Sequence, residues 1–274
     1  MMTKPYLIAI DLDGTLLKDD KTVSHYTKNI LTQAMNEGHH VVISTGRPFR
    51  GSERYYHELN LSTPIINFNG AFIHHPRQSD WGIYHSPLEL DTAQNIVKTC
   101  LDFNVKNVIA EVLDDMYLHY EDEFITNSFM IEPSRMNIGN LHQSLKHNPT
   151  SILIRPHDHQ VKELRALLKA QHAEVIDHRV WAAPYNIIEV VRSGLNKAVG
   201  LKRVAETLDV PQDRIIAFGD EDNDLEMIEY AGYGIAMGNA IPELKNIANG
   251  VTKTNEEDGI AHFLTDLLSL KESV

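Results

Sequence analysis

The hydrophobic pattern of the first third of the chain alternates between two periods. Residues 6–10 form an apolar run that stops at Asp11, which predicts a buried strand. Residues 24–36 then place apolar side chains at helical spacing. Further strands are predicted at residues 40–44 and 65–68, with a second helix between them. This alternation predicts an α/β fold with a doubly wound parallel sheet.

The rhythm changes in the middle of the chain. Residues 81–189 contain two clear helical stretches, at 91–103 and 160–171, between short strand candidates. The strand candidates lie at residues 108–112, 116–119, 151–155, 173–176 and 187–191. The parallel pattern resumes afterwards. We therefore predict a Rossmann-like core built from residues 1–80 and 190–274, with an α+β domain inserted at 81–189.

The composition is that of a soluble globular protein. Apolar residues make up 42% of the 274 residues, and charged residues make up 23%. The formal net charge of −13 disfavours nucleic acid and anionic lipid as partners, because like charges repel. No window approaches the ~18 apolar residues of a membrane span. The single cysteine, Cys100, permits no disulfide within the chain. We expect a cytoplasmic protein, and the pattern indicates no particular oligomeric state.

The most specific motif follows the first predicted strand. It consists of Asp11, Leu12, Asp13, Gly14 and Thr15, and open α/β sheets bind ligands at such strand ends. The two carboxylates are two residues apart, so an extended backbone directs them to one side. One carboxylate can attack phosphorus while the other transfers a proton, and a cation relieves their repulsion. The motif indicates phosphoryl transfer, and the alternative is an acidic turn without function.

A second acidic motif occupies residues 219–224, directly after another apolar run. Asn223 and Asp224 follow Asp220 by three and four positions, so a helical turn would place them on one face with it. Asp220 then offers an oxygen ligand to Mg²⁺, a hard cation. The alternative is an acidic helix start, which the helix dipole favours without any function. Because the motif accompanies Asp11, we favour the magnesium site.

Two weaker signals supply groups for a phosphate. Thr45, Gly46 and Arg47 stand at a predicted strand-to-helix turn, where a hydroxyl and free N–H groups suit phosphate oxygens. Lys197 stands near a helix start and can pair with a phosphate and with the nucleophile, although a solvated lysine is the alternative. The sequence contains neither a P-loop nor a dinucleotide-binding fingerprint. Its 15 histidines lack the spacing of a zinc site.

Taken together, these four motifs resemble the haloacid dehalogenase superfamily, and in particular its Cof-type phosphatase branch. The resemblance spans both ends of the chain and extends to residues 237–240 and 258–261, which are similar to C-terminal signatures of this branch. One departure is visible. The family usually has glycine after the lysine that corresponds to Lys197, whereas this chain has Ala198, which puts close packing after Lys197 in doubt.

The resemblance implies a role for each motif residue. Asp11 would be the nucleophile and a Mg²⁺ ligand, and Asp13 would be the general acid and base, with its backbone carbonyl on the metal. Asp220 would be the third protein ligand. Arg47 would face the leaving group, and Asp224 would orient the motif lysine or a metal-bound water. The phosphate would be held by the backbone of Leu12 and by Thr45, Gly46, Lys197 and Asn223. The inserted domain would be a cap that excludes water and selects the substrate.

These expectations describe a Mg²⁺-dependent phosphatase that acts on a small phosphorylated metabolite through an aspartyl-phosphate intermediate. The resemblance implies a sugar phosphate or a flavin or riboflavin-precursor phosphate as substrate. A phosphomutase or phosphotransferase on the same core is one alternative, and it would isomerise its product without releasing phosphate. A metabolite-binding regulator is another. The complete set of Asp11, Asp13, Lys197 and Asp220 disfavours the regulator, because binding alone needs no acid/base beside a nucleophile.

An aromatic segment at residues 179–185 of the inserted domain is a candidate for stacking on a substrate ring, with a cluster in the domain's own core as the alternative. If Trp181 stacks on the ring, Trp181→Ala will lower kcat/KM for ring-bearing phosphates about tenfold and leave aliphatic phosphates unchanged. Phosphate release from the two substrate classes measures the ratio. If the wild type and Trp181→Ala have the same kcat/KM for both substrate classes, the stacking hypothesis is contradicted.

Overall fold

The computed structural model describes residues 4–129, 133–172, 176–180 and 186–271. Strands and helices are numbered in chain order. The chain divides into two compact units. The first comprises Met1–Arg47, Ser52–Ile83 and Asn196–Val274, and the second comprises Pro48–Gly51 and Tyr84–Leu195. Trp181 and the aromatic residues next to it lie outside the described residues.

A five-stranded parallel sheet forms the centre of the first unit. Its strands are β1 (Leu7–Ile10), β2 (His40–Ile43), β12 (Ile215–Gly219), β13 (Tyr233–Ala236) and β14 (Gly250–Val251). They lie in the order β14, β13, β12, β1, β2. β1 is hydrogen-bonded on both sides, with Ile10 opposite Ile43 and Phe218. All four of its residues are buried, as a central parallel strand requires.

The third predicted strand pairs differently from the expectation. β3 (Ile65–Asn67) meets the parallel sheet through one bridge, between Ser44 and Ile66. It then pairs antiparallel with β4 (Phe72–His74), which lies beside β5 (Ile83–His85). The chain reverses between β3 and β4 because Phe68, Asn69 and Gly70 all have positive φ angles, of 49°, 52° and 96°.

Helices connect the strands of the first unit. They are α1 (His25–Asn36), α2 (Phe49–Glu58), α7 (Lys197–Thr207), α8 (Leu225–Tyr230), α9 (Pro242–Ile247) and α10 (Gly259–Leu268). α1 packs against α10, and α7 packs against α8. The start of α7 is fixed by Asn196, whose side chain accepts a hydrogen bond from the N–H of Val199 at 3.0 Å. This cap makes Lys197 the first residue of the helix.

The second unit contains a six-stranded sheet in the order β10, β11, β9, β6, β7, β8. Every pair is antiparallel except β7 with β8. The strands are β6 (Asn107–Val112), β7 (Asp115–Leu118), β8 (Met136–Ile138), β9 (Ser151–Arg155), β10 (Ile176–Val180) and β11 (Ile188–Arg192). The helices are α3 (Leu90–Asp102), α4 (Glu123–Phe129), α5 (Leu141–Ser144) and α6 (Val161–His172). A strand was expected at 173–176; β10 begins at Ile176, and residues 173–175 lie outside the described part.

Both faces of this sheet carry apolar side chains because successive residues of a strand point to opposite faces. On β6, Val108 and Ala110 join the cluster that contains the buried side of α3. Ile109, between them, joins a second cluster with Leu153 and Ile187. In the part of the chain that the structure describes, no helix has the length and apolar character needed to cross a membrane.

Cys100 lies on α3 and is completely buried, in the same cluster as Ile96 and Val97. Burial raises the pKa of its thiol to about 12, so the reactive thiolate is scarce near neutral pH. We expect the thiol to react with a disulfide reagent about 100-fold more slowly in the native protein than in urea at pH 8. Absorbance of the released thiolate follows both reactions, and similar rates would show that Cys100 is accessible in the folded chain.

Candidate active site

The two acidic motifs meet where neighbouring strands end. Asp11 directly follows β1, and Asp220 directly follows β12. Both side chains are buried. Oxygen atoms of Asp11, Asp220 and Asp224 all lie within 4.8 Å of one another. The parallel pairing of β1 with β12 therefore brings together carboxylates from opposite ends of the chain.

One buried ammonium group lies among these carboxylates. Lys197 has no exposed side-chain surface. Its Nζ donates to Asp11 Oδ1 at 2.6 Å and to Asp224 Oδ1 at 2.7 Å. The packing of α7 against α8 supports this contact, since Lys197 begins α7 and Asp224 immediately precedes α8. Lys197 is therefore an ion-pair residue in the structure and not a solvated lysine.

The pKa values reflect a buried cluster in which carboxyl groups outnumber the single ammonium group. Burial raises the pKa of Asp11 well above its usual value, against the attraction of Lys197 and with further repulsion from Asp224 and Asp220. Burial likewise raises the pKa of Asp220 to about 7, although a hydrogen bond from Thr15 opposes the shift. Burial lowers the pKa of Lys197, but the charges of Asp11 and Asp224 outweigh it, so the net shift is upward. Lys197 therefore stays cationic.

The cluster has the charge and the donors for a divalent cation. If all three carboxylates were ionised beside the one ammonium, two negative charges would remain buried, which is costly without a counter-ion; the raised pKa values of Asp11 and Asp220 reflect this cost. Among the described residues, Asp11 and Asp220 each keep one carboxylate oxygen without a hydrogen-bond donor. Both oxygens of Asp224 are engaged, by Lys197 and by the N–H groups of Asp220 and Glu221. Carboxylate oxygens suit hard cations such as Mg²⁺.

Gly14 and Thr15 place the Asp220 carboxylate. Gly14 has a φ angle of 75°, and a Cβ atom there would lie 2.1 Å from Asp220 Oδ2. Only glycine allows this approach without a clash. The Thr15 hydroxyl donates to Asp220 Oδ1 at 2.7 Å. The sequence analysis assigned no contact to Thr15, and its place in the first motif was the available signal.

Asn239, in the first C-terminal signature, and the nearby Asn255 brace the loop that follows Asp11. The Asn239 amide donates to the carbonyl of Gly14 at 2.8 Å and accepts from the N–H of Asn255 at 3.0 Å. The Asn255 amide donates to the carbonyl of Leu17 at 2.9 Å. The loop between β1 and α1 is therefore held by side chains from the other end of the chain.

Asp13 lies in a different electrostatic setting from Asp11. Arg47 donates to it twice, from Nε to Oδ2 and from Nη2 to Oδ1, each at 2.6 Å, and Lys21 Nζ lies 2.9 Å from Oδ1. Burial raises the pKa of Asp13, but the hydrogen bonds and charges of Arg47 and Lys21 outweigh it and lower the pKa to about 2. Asp13 is therefore ionised in this structure. The contact of Lys21 with Asp13 was not predicted, because nothing in the sequence around a single loop lysine indicates it.

The predicted phosphate-binding groups lie at the neighbouring strand ends. Thr45 follows β2, and its Oγ1 accepts from the N–H of Arg47 at 3.1 Å. The N–H groups of Leu12 and Gly46 donate to no acceptor among the described residues. Asn223 donates from Nδ2 to Oδ1 of Asn69 at 3.1 Å. The structure thus adds Asn69 to the residues around the motifs; its signal in the sequence is an Asn-Gly pair directly after a strand.

Ala198 does not interrupt the packing of α7. It is half-buried, and the close approach falls two residues later, at Gly200. A Cβ atom on Gly200 would lie 2.7 Å from Cγ2 of Ile66. The departure from the family pattern at Ala198 therefore leaves room for Lys197 to reach Asp11.

Comparisons with known proteins agree with this geometry. A family model described as haloacid dehalogenase-like hydrolase matches residues 8–264. The chain is 53% identical to 5-amino-6-(5-phospho-D-ribitylamino)uracil phosphatase YitU of Bacillus subtilis, over 98% of this chain and all of the relative. It is 32% identical to YcsE of the same organism, which carries the same phosphatase name, over 93% of this chain and 92% of that one. A solved haloacid dehalogenase-like hydrolase from B. subtilis is 29% identical, with a TM-score of 0.80 over 96% of this chain and 99% of that one.

The parallel sheet and the buried carboxylates at its strand ends define an α/β protein with an acidic site at one edge of the sheet. The chain belongs to the haloacid dehalogenase-like hydrolase family. The resemblance and the fold class predicted from the sequence are thereby confirmed.

Lys197→Met tests whether the buried charge balance stabilises the fold. Removing the ammonium leaves buried carboxylates without their partner, so we expect the free energy of unfolding to fall by about 3 kcal/mol. Urea unfolding at pH 7.5 in EDTA measures the change. Lys202→Met, on the exposed side of the same helix, is the matched control and should unfold like the wild type. Equal stability of both variants would mean that the cluster does not depend on Lys197.

Proposed function

We propose that this chain is a Mg²⁺-dependent phosphatase that hydrolyses 5-amino-6-(5-phospho-D-ribitylamino)uracil. The substrate assignment rests on the 53% identity to YitU, which extends over the whole of that relative. YcsE, a more distant relative, carries the same substrate in its name. This substrate is a phosphorylated riboflavin precursor, one of the classes that the family resemblance implies.

The reaction assignment is carried by one observation, the contact of Lys197 with Asp11 inside a buried carboxylate cluster. A carboxylate is a weak nucleophile in water because solvent stabilises its charge. Burial removes much of that solvent from Asp11, and the Lys197 ammonium keeps a cation beside the reacting oxygens. A phosphate dianion that enters this place meets positive charge next to the nucleophile.

Asp11 attacks phosphorus in the first step. A bond forms between a carboxylate oxygen and phosphorus, and the bond from phosphorus to the ribityl oxygen breaks. Asp13 delivers a proton to the departing oxygen. In the second step, water attacks phosphorus, Asp13 takes the proton of that water, and inorganic phosphate leaves as the Asp11 carboxylate is restored.

During this cycle, the Asp13 carboxylate must separate from its ion-pair partners and take up a proton. Its pKa of about 2 describes the carboxylate held by Arg47 and Lys21, and such a carboxylate cannot donate a proton near neutral pH. Arg47 therefore releases Asp13 before the first step. The guanidinium is then available to the leaving group, which is the position that the family resemblance assigns to Arg47.

The phosphate is held by groups from three strand ends. The free N–H groups of Leu12 and Gly46, the Thr45 hydroxyl and the Asn223 amide are its hydrogen-bond donors, and Lys197 supplies charge. Asp11, Asp220 and the carbonyl of Asp13 would hold Mg²⁺. When bound, Mg²⁺ neutralises the repulsion between the carboxylates and the phosphate dianion. The inserted domain, residues 81–189, selects the substrate.

Phosphate release from a panel of small phosphomonoesters tests the proposal. We expect turnover of the ribitylaminouracil phosphate with Mg²⁺, loss of turnover in EDTA, and a fall in kcat of at least about 1,000-fold for Asp11→Asn. The ranking of kcat/KM across the panel identifies the substrate class.

Asp19→Asn is the matched control, because Asp19 lies in the same loop and is exposed. It should retain the wild-type rate. Turnover that survives in Asp11→Asn would refute Asp11 as the nucleophile. Isomerisation of a sugar phosphate without phosphate release would instead favour a mutase.

A further inference from the structure

The short turn of residues 67–70, which leads from the end of β3 toward β4, contacts the Thr45–Gly46–Arg47 segment at three points. The N–H of Asn69 donates to the carbonyl of Thr45 at 3.1 Å. The N–H of Phe68 and the side chain of Asn67 both donate to the carbonyl of Arg47, at 3.2 and 2.9 Å. The backbone of the Thr45–Gly46–Arg47 turn is therefore held from both ends by the turn after β3.

The same turn contacts the helix that starts at Lys197. Gly70 has a φ angle of 96°, and a Cβ atom there would lie 2.5 Å from the carbonyl oxygen of Asn196 and 3.5 Å from the nitrogen of Gly200. The first turn of α7 thus rests directly on the backbone of Gly70. No side chain fits between them, so this contact sets the distance between the turn of residues 67–70 and the first turn of α7, where Lys197 lies.

The contact with the acidic motif at residues 219–224 is made by one side chain. Asn69 Oδ1 accepts the hydrogen bond from Asn223 Nδ2 at 3.1 Å. The amide of Asn69 also packs on Gly46, where a Cβ atom would lie 3.2 Å from Nδ2. Asn69 is only 5% exposed. A single buried amide therefore lies between Gly46 and Asn223, two of the predicted phosphate-binding residues.

The backbone of this turn has an unusual conformation. Three consecutive residues have positive φ angles, and Phe68 and Asn69 are not glycines. Asparagine adopts this region more readily than most residues, whereas phenylalanine rarely does. Such strain persists where the surrounding contacts over-determine the conformation, and it concentrates near functional sites.

We propose that the turn of residues 67–70 sets the spacing of the phosphate-binding groups, and that Asn69 is its positioning residue, acting through Gly46 and Asn223. The inference rests on the proposed function, because it treats those two residues as phosphate ligands. Among the described residues, Asn69 makes no hydrogen bond with Asp11 or with Asp13.

Binding of inorganic phosphate, measured by calorimetry with Mg²⁺ present, tests this role without turnover. Asn69→Gly keeps the freedom to adopt a positive φ angle but removes the amide. We expect it to weaken phosphate binding about tenfold, with kcat/KM falling by a similar factor. Asn223→Ala should weaken phosphate binding by about the same factor. The double variant should bind phosphate only slightly more weakly than either single variant, because the two side chains act as one unit.

Asn60→Gly is the matched control. Asn60 also has a φ angle of 52° and its side chain also accepts a hydrogen bond, from Arg77 at 2.8 Å, but its described contacts include no motif residue. It should bind phosphate like the wild type. Circular dichroism establishes whether each variant folds, and Asn69→Ser repeats the test with a polar side chain too short to reach Asn223.

Two results would overturn the inference: unchanged phosphate binding in both Asn69 variants, or losses that multiply in the double variant. A failure of the proposed function looks different. In that case the wild type binds inorganic phosphate, and the coupling between Asn69 and Asn223 is still measurable, but no phosphomonoester of the panel is hydrolysed.

Discussion

The buried contact between Lys197 and two aspartates is the interaction on which the rest of the site depends. Three carboxylates within 4.8 Å of one another repel strongly when water is excluded. The Lys197 ammonium, at 2.6 Å from Asp11 and 2.7 Å from Asp224, offsets part of that repulsion but not all of it. The remaining negative charge is what makes the place suited to a divalent cation.

The parallel strands of the fold bring these charged groups together. β1 lies between β2 and β12, so the segments that leave these strands emerge side by side. Close approach then needs glycine at Gly14 and Gly200, where any Cβ atom would meet Asp220 or Ile66 within 3 Å. Asn239 and Asn255 hold the loop that follows Asp11.

Much of the site was readable from the sequence, because its chemistry stands in short segments that directly follow apolar runs. Asp11, Thr45 and Asp220 could be placed at strand ends, and the strand ends of a parallel sheet meet at one edge. Lys197 was ambiguous, since burial of a lysine depends on partners that are distant in the chain. The supports were less visible: Lys21 and Thr15 act through contacts that no spacing reveals. The reversal after β3 was missed because an Asn-Gly pair indicates a turn but not its direction.

Asp13→Asn with an aryl phosphate gives the most direct test of the central claim, that Asp11 becomes phosphorylated. An aryl leaving group needs no proton, so the first step should proceed, while the second step lacks its base. The account predicts a burst of one equivalent of phenolate, little phosphate, and one phosphoryl group on the peptide that contains Asp11, found by mass spectrometry after acid quench. A phosphoryl group on another residue, or no burst from a variant whose wild type turns over the same ester, would contradict it.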